Sequence, residues 1–201
     1  MGVKLVSSSG GSVEINPPTT ASNFVATMPA GTGTVVVNGI NSALVAATAQ
    51  ASTSGTSIDF TGIPSWVRRI TVMFSGVSTN GSSVVQVQIG SGSPTTSGYL
   101  GAVVRSGTST GGSNFSSGFT LTDSGSGGSA AHIKQGALIL SLLNATTNNW
   151  TVFGNIGHSD SANAWMLGGS VPLSGTLDRV RITTVNGTDT FDAGSINILY
   201  E

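Results

Sequence analysis

From Arg69 to Phe74 the chain alternates, with Ile70, Val72 and Phe74 pointing one way and Arg69, Thr71 and Met73 the other. A period of two is that of a half-buried strand. Similar segments recur from residue 56 onward between turns rich in Gly, Ser and Thr. They predict strands over 57–60, 67–77, 83–90, 99–105, 114–122, 136–144, 149–157, 163–167, 176–184 and 190–200. Short strands at such even spacing are the mark of a sandwich or jelly roll. Pro64 cannot donate to a ladder, so it parts a short leading strand from the long one, and Trp66 stands where the chain enters the core.

The alternation also assigns faces. Val85, Val87 and Ile89 oppose Gln86 and Gln88; Phe115, Phe119 and Leu121 share a parity; Ile196, Ile198 and Tyr200 share another and pin the last segment in a sheet. The run ALILSLL at 137–143 is apolar on both faces. It is therefore a central strand, or one whose second face is covered by a neighbouring subunit. Asn148-Asn149 predicts a tight turn, making 136–157 a hairpin in the middle of the fold.

Residues 1–55 are patterned differently. Strands are expected at 13–16, 23–28 and 34–37, separated by Pro17-Pro18, Pro29 and Gly-rich turns, and they carry too few apolar side chains to fold alone. The Ala-rich stretch 41–54 fits either one or two helical turns capped by Asn41 or Ser42, or an extended linker. The division expected is an N-terminal β-stalk, attachment and linker region at 1–55, followed by an antiparallel, jelly-roll-like β-sandwich at 56–201.

Composition narrows the function. Charged residues are 7% of the chain, against roughly 25% in ordinary domains, so the surface is mostly Ser, Thr, Asn and Gly. A formal net charge of −1 supplies no field for nucleic acid or an anionic membrane. No apolar run has the length of a membrane span or of a signal peptide's core. Gly numbers 29 without a Gly-X-Y period, which excludes collagen. With Cys 0 there is no disulfide and no thiolate chemistry.

Candidate chemistry is sparse. His158 and Asp160 lie two apart in GHSDSAN, and His132 is in a separate segment, so no complete metal site is expected. The acids are scattered singly; Asp189 and Asp192, the closest pair, read as turn residues around Asn186-Gly187. No G-x-S-x-G elbow sits between a strand and a helix. Catalysis and cofactors are therefore not expected. Arg68, Arg69, Arg179 and Arg181 fit either a patch for anionic glycan or, preferably, solubilising strand-face charge. The best contact surface is the set of loops 106–113, 123–131 and 157–164. There His158, Asp160, Asn163 and Trp165, with Tyr99, are the candidate receptor contacts, an aromatic face beside polar groups being a common grip on sugar rings, while for Trp165, followed by Met166 and Leu167, a core position is the more frequent alternative.

Two passages also carry a family likeness. GSVEINPPTTASNFVATMPAGTGTVVV at 11–37 resembles a stalk unit of tail-fibre proteins from tailed bacteriophages. TSIDFTGIPSWVRRITVMFSGVSTNGSS at 56–83 and RVRITTVNGTDTFDAGSINILYE at 179–201 resemble the C-terminal β-domain of such virion fibres. The resemblance implies a homotrimeric virion appendage on the tail or capsid exterior, assembled in the host cytoplasm. It would attach to other virion proteins by its N-terminal region and bind a bacterial surface glycan or protein receptor, with no nucleic-acid partner and no membrane insertion. A trimeric head decoration or head-fibre protein is the alternative, and a carbohydrate-binding module is a further one.

Overall fold

The computed structural model describes residues 3–6, 9, 10, 12–15, 44–125 and 127–201. The chain falls into two units, 1–35 and 36–201. In the first, β1 (Val3–Val6) and β2 (Ser12–Ile15) form an antiparallel hairpin with Val3 opposite Ile15. The strands expected at 23–28 and 34–37 lie outside the described residues.

The second unit begins with β3 (Val45–Ala46), β4 (Gln50–Ala51), β5 (Ser57–Thr61), β6 (Arg69–Thr79), β7 (Val85–Ser91), β8 (Ser93–Pro94) and β9 (Leu100–Gly107). It continues through β10 (Gly111–Asn114), β11 (Phe119–Thr120), β12 (Lys134–Asn144), β13 (Asn149–His158), β14 (Asn163–Pro172), β15 (Arg179–Thr184) and β16 (Phe191–Tyr200). The fold is all-β and antiparallel. A nine-stranded sheet runs β10-β9-β14-β13-β12-β6-β16-β3, with β4 also on β16; a five-stranded sheet runs β11-β7-β15-β5, with β8 on β7.

Three pairings are nested: β6 with β16, β7 with β15, and β9 with β14. They alternate between the sheets, so one long antiparallel ribbon wraps over itself as in a jelly roll. The hairpin β12–β13 fills the large sheet between β6 and β14. Side chains from both sheets meet in one buried cluster that includes Ile70, Val72, Val87, Ile89, Phe119, Leu138, Leu140, Val180, Ile182 and Ile198. The parity of the alternating segments thus decides which residues face this core.

Departures from the expected strands are local. The segment 114–122 is broken, because the chain leaves β10 in the large sheet and enters β11 in the small one; Phe115, Phe119 and Leu121 stay buried through the crossing. Within the Ala-rich stretch, Val45–Ala46 and Gln50–Ala51 are neither helix nor free linker but pair with β16 of the sandwich. The turn after β12 spans 145–148. Asn144 Oδ1 accepts from the amides of Thr146 and Thr147 at 2.8 and 3.2 Å, and Asn148 takes φ 48°, a conformation Asn tolerates.

β12 is central, hydrogen-bonded to β13 on one side and β6 on the other. Its inner residues Leu138 and Leu140 are fully buried, while Ile139 on the outer face is half-buried. Outward apolar side chains therefore survive on this sheet, among them Phe153 and Met166.

Two register shifts interrupt the β6–β16 pairing, the first with an extra residue on β16 between Phe191 and Ala193, the second with one on β6 between Ser75 and Ser78. At the second, Gly194 sits at φ +92°, and a Cβ there would run into the Gly76 carbonyl. Gly194→Ala must move backbone on two central strands. It should cost at least about 1–3 kcal/mol in denaturant unfolding, and a variant within about 0.5 kcal/mol of wild type would show that the bulge is soft.

Candidate functional site at the loop end of the sandwich

Sheet register carries the core face of the large sheet into the loop end. Lys134 pairs with His158, Ile156 with Trp165, and Trp165 with Arg105. Each shares the inward parity of its strand with residues such as Leu138, Val152, Leu167 and Val103. Toward the loops the aliphatic core thus gives way to a row of polar and aromatic side chains.

Beneath the loops these side chains form a plug. Trp165 is 1% exposed and its indole Nε1 donates to Asp123 Oδ1 at 2.6 Å. Arg105 Nη1 approaches the same oxygen at 3.8 Å, and its Nη2 donates to the Thr110 carbonyl at 3.1 Å. The His158 ring lies between Trp165 and His132, with centroids 4.2 and 4.4 Å apart and planes tilted by 39° and 44°. Neither His158 ring nitrogen has a hydrogen-bond partner. Lys134 is also buried, and its Nζ donates to the His132 carbonyl at 3.4 Å.

The three loops meet above this plug. Thr108 Oγ1 donates to Asn163 Oδ1 at 3.2 Å, and the Ser124 amide donates to Ser113 Oγ at 3.2 Å. The Ile133 amide donates to Asp160 Oδ1 at 3.2 Å. Loops 106–113, 123–131 and 157–164 therefore form one surface, with Asp160 exposed and Asn163 half-buried at its rim.

Burial dominates the titration of the plug. It lowers His158 to about 4, helped by His132 and Lys134 and opposed by Asp160 and Asp123. It lowers Lys134 to about 8 against the pull of Asp160 and Asp192. Burial would raise Asp160, but the Ile133 amide and the two imidazoles hold its carboxyl below the usual range.

Of the five candidate contacts, the structure brings His158, Asp160, Asn163 and Trp165 together, yet only Asp160 and Asn163 reach the surface. Trp165 is corrected from a contact to core, since its inward parity puts the indole under the loops. His158 is likewise held in the plug. Tyr99 precedes β9, at the strand end opposite loop 106–113; it is 2% exposed, and its hydroxyl donates to the Thr95 carbonyl at 3.0 Å. Burial pushes its phenol up, and Phe119 packs edge-on at 4.7 Å. Sequence reading missed Lys134, Arg105 and Asp123. Extending the parity of Leu138 and Val103 along their strands would have found the first two.

Among the described residues the remaining charges are spoken for. Arg181 binds Asp59 in two contacts of 2.7 and 2.9 Å, Arg179 pairs with Asp178, and Arg69 with Glu201. Arg68 Nη1 donates to the Ser65 carbonyl at 2.9 Å. The four arginines thus make no shared cationic patch. Asp189 accepts from Asn186 Nδ2 at 2.6 Å and from the Ser83 amide at 2.8 Å, and Asp192 accepts from Ser78, so the closest acid pair serves turns and strand ends. Among the described residues no three His, Cys, Asp or Glu side chains are grouped to hold a metal.

No family model, curated protein or solved structure matches this chain.

The plug makes stability depend on pH with a definite sign. An unfolded His158 takes a proton near 6.5, whereas the folded one stays neutral to about 4, so stability falls as pH drops through that window. His158→Phe, which keeps a ring between Trp165 and His132, should flatten that fall by on the order of 1–3 kcal/mol in denaturant titrations. Equal slopes in both proteins would rule out His158 as the cause. For Lys134 the sign is the same in a higher window: burying its charge costs stability below about pH 8, and the cost is relieved as pH rises toward 10.5. Lys134→Met should therefore stabilise at neutral pH, and its advantage should shrink above pH 8.

Proposed function

We propose that this protein is a structural fibre of a tailed-bacteriophage virion that binds the bacterial surface and carries out no catalysis. The observation that supports it most directly is the loop end: three Gly/Ser/Thr-rich loops on one end of a rigid sandwich, braced from below by the Trp165–Asp123 plug. Loops held this way can vary in sequence while their scaffold stays fixed, which suits recognition. The resemblance of residues 11–37, 56–83 and 179–201 to fibre sequences points the same way. On this reading the N-terminal region attaches to other virion proteins, three copies associate, and a glycan or protein on the host meets Asp160, Asn163 and their neighbours.

Binding without chemistry fits the fate of the carboxylates. Asp59, Asp178 and Glu201 are paired with arginines, Asp123 with Trp165 and Asp160 with a backbone amide. Among the described residues these carboxylates are each engaged, which supports a reading without the two free carboxyl groups that glycoside hydrolysis requires.

Two measurements test the proposal. Antibody labelling of intact virions should place the chain on the tail; labelling confined to the head would turn it into a head fibre, and no labelling would end the virion reading. The double variant Asp160→Asn, Asn163→Ala should bind host cells at least tenfold more weakly with an unchanged melting temperature. Full binding by the folded double variant would move recognition away from these loops. Incubation with host polysaccharide should release no new reducing ends.

A further inference from the structure

We propose that the outer face of the nine-stranded sheet is the surface through which two copies of this chain associate. Register lines its outward side chains in rows. One row runs Leu199, Thr71, Ile139, Phe153, Gly168 and Ala102 across β16, β6, β12, β13, β14 and β9. The next runs Asn197, Met73, Ala137, Asn155, Met166 and Val104. Leu100 lies in the row on the other side, opposite Ser170.

These side chains are in water. Leu100 is 66% exposed, Phe153 59%, Met166 51% and Val104 46%. At roughly 150–250 Å² for a large side chain, the four expose on the order of 400 Å² of apolar surface. A standard interface takes about 800 Å² from each partner, a little over half of it apolar. The patch therefore supplies close to the apolar share that one side of a stable interface needs, and the Ser, Thr and Asn around it supply the polar rim.

The occupant is a second copy because the face suits itself. The three rows hold no charge except Arg69 and Glu201 at one margin, and these two neutralise each other. Two such faces can meet without like-charge repulsion or a buried unpaired ion. A ridge also lies beside a trough: Phe153 stands next to Gly168 and Ala102 in its own row. A copy turned about a symmetry axis sets its Phe153 over that trough. The interface stands on these rows alone; that three copies share it rests on the fibre reading.

The test is the mass of the full chain in solution by analytical ultracentrifugation, with Phe153→Asn and Met166→Thr combined as the variant. Wild type should be oligomeric at micromolar concentration, and the variant should dissociate at concentrations at least 100-fold higher while keeping its far-UV spectrum. A dimer would support the interface and count against the threefold fibre; a trimer would support both. Because the chain has Cys 0, single cysteines at Asn155, on the face, and Val185, off it, can carry spin labels should the variant misfold. Dipolar contact between copies should be strong from Asn155 and weak from Val185. A monomeric wild type, an unchanged mass for the folded variant, or equal contact from both labels would overturn the proposal.

Discussion

The pairing of β6 with β16 holds this sandwich together. Ile70, Val72 and Phe74 on one strand and Ile196, Ile198 and Tyr200 on the other are brought side by side by eight registered positions that span two bulges. The rest of the large sheet builds outward from these two strands. β12 and its hairpin partner extend from β6, and β3 and β4 pair with β16. Backbone bonds continue past the strand, where the Arg68 and Arg69 amides donate to the Glu201 carbonyl at 2.6 and 2.9 Å. The inner faces of these strands supply much of the common core, so losing this pair would open the core along its length rather than at an edge.

Most of the strands were legible because a sandwich enforces period two wherever one face is wet. β6, β12 and β16 were found to within a few residues from alternation alone. What failed was anything decided by a crossing or by an end. Phe115 to Leu121 keep one parity while changing sheets, and parity carries no record of which sheet a residue joins. Composition was no guide at 45–51 either. Ala46, Ala47, Ala49 and Ala51 left helical turns and an extended linker equally open, whereas two-residue strands laid along β16 take their order from the sheet they join and need few side chains of their own.

The site was legible in outline only. Three Gly- and Ser-rich loops were expected to form a contact surface, and they do come together. Trp165 stood between contact and core because an aromatic one or two residues from a loop can point either way, and the register of Ile156 opposite it decides for core. The plug was invisible for a related reason: Lys134, His158 and Arg105 are polar letters at inward positions, and a pattern search reads a polar letter as outward. Charge is scarce in this chain, and among the described residues the structure engages it in ion pairs or in hydrogen bonds to backbone and neutral side chains. That leaves hydroxyls, amides and glycines to meet the solvent, together with the exposed apolar rows of the large sheet.

The wrap of the ribbon also governs how the molecule can be made. β16 closes a gap between strands laid down at 45–51 and 69–79, more than a hundred residues earlier in synthesis. Until residue 200 has been added, β6 offers one bare edge to any strand nearby, and neither β3 nor β4 has a neighbour to pair with. Contacts this distant in sequence make folding slow and keep sticky edges open in the meantime. The large sheet of a nascent chain therefore closes only once β16 has been made, and until then the inner halves of the sheet wait on a strand that comes more than a hundred residues later.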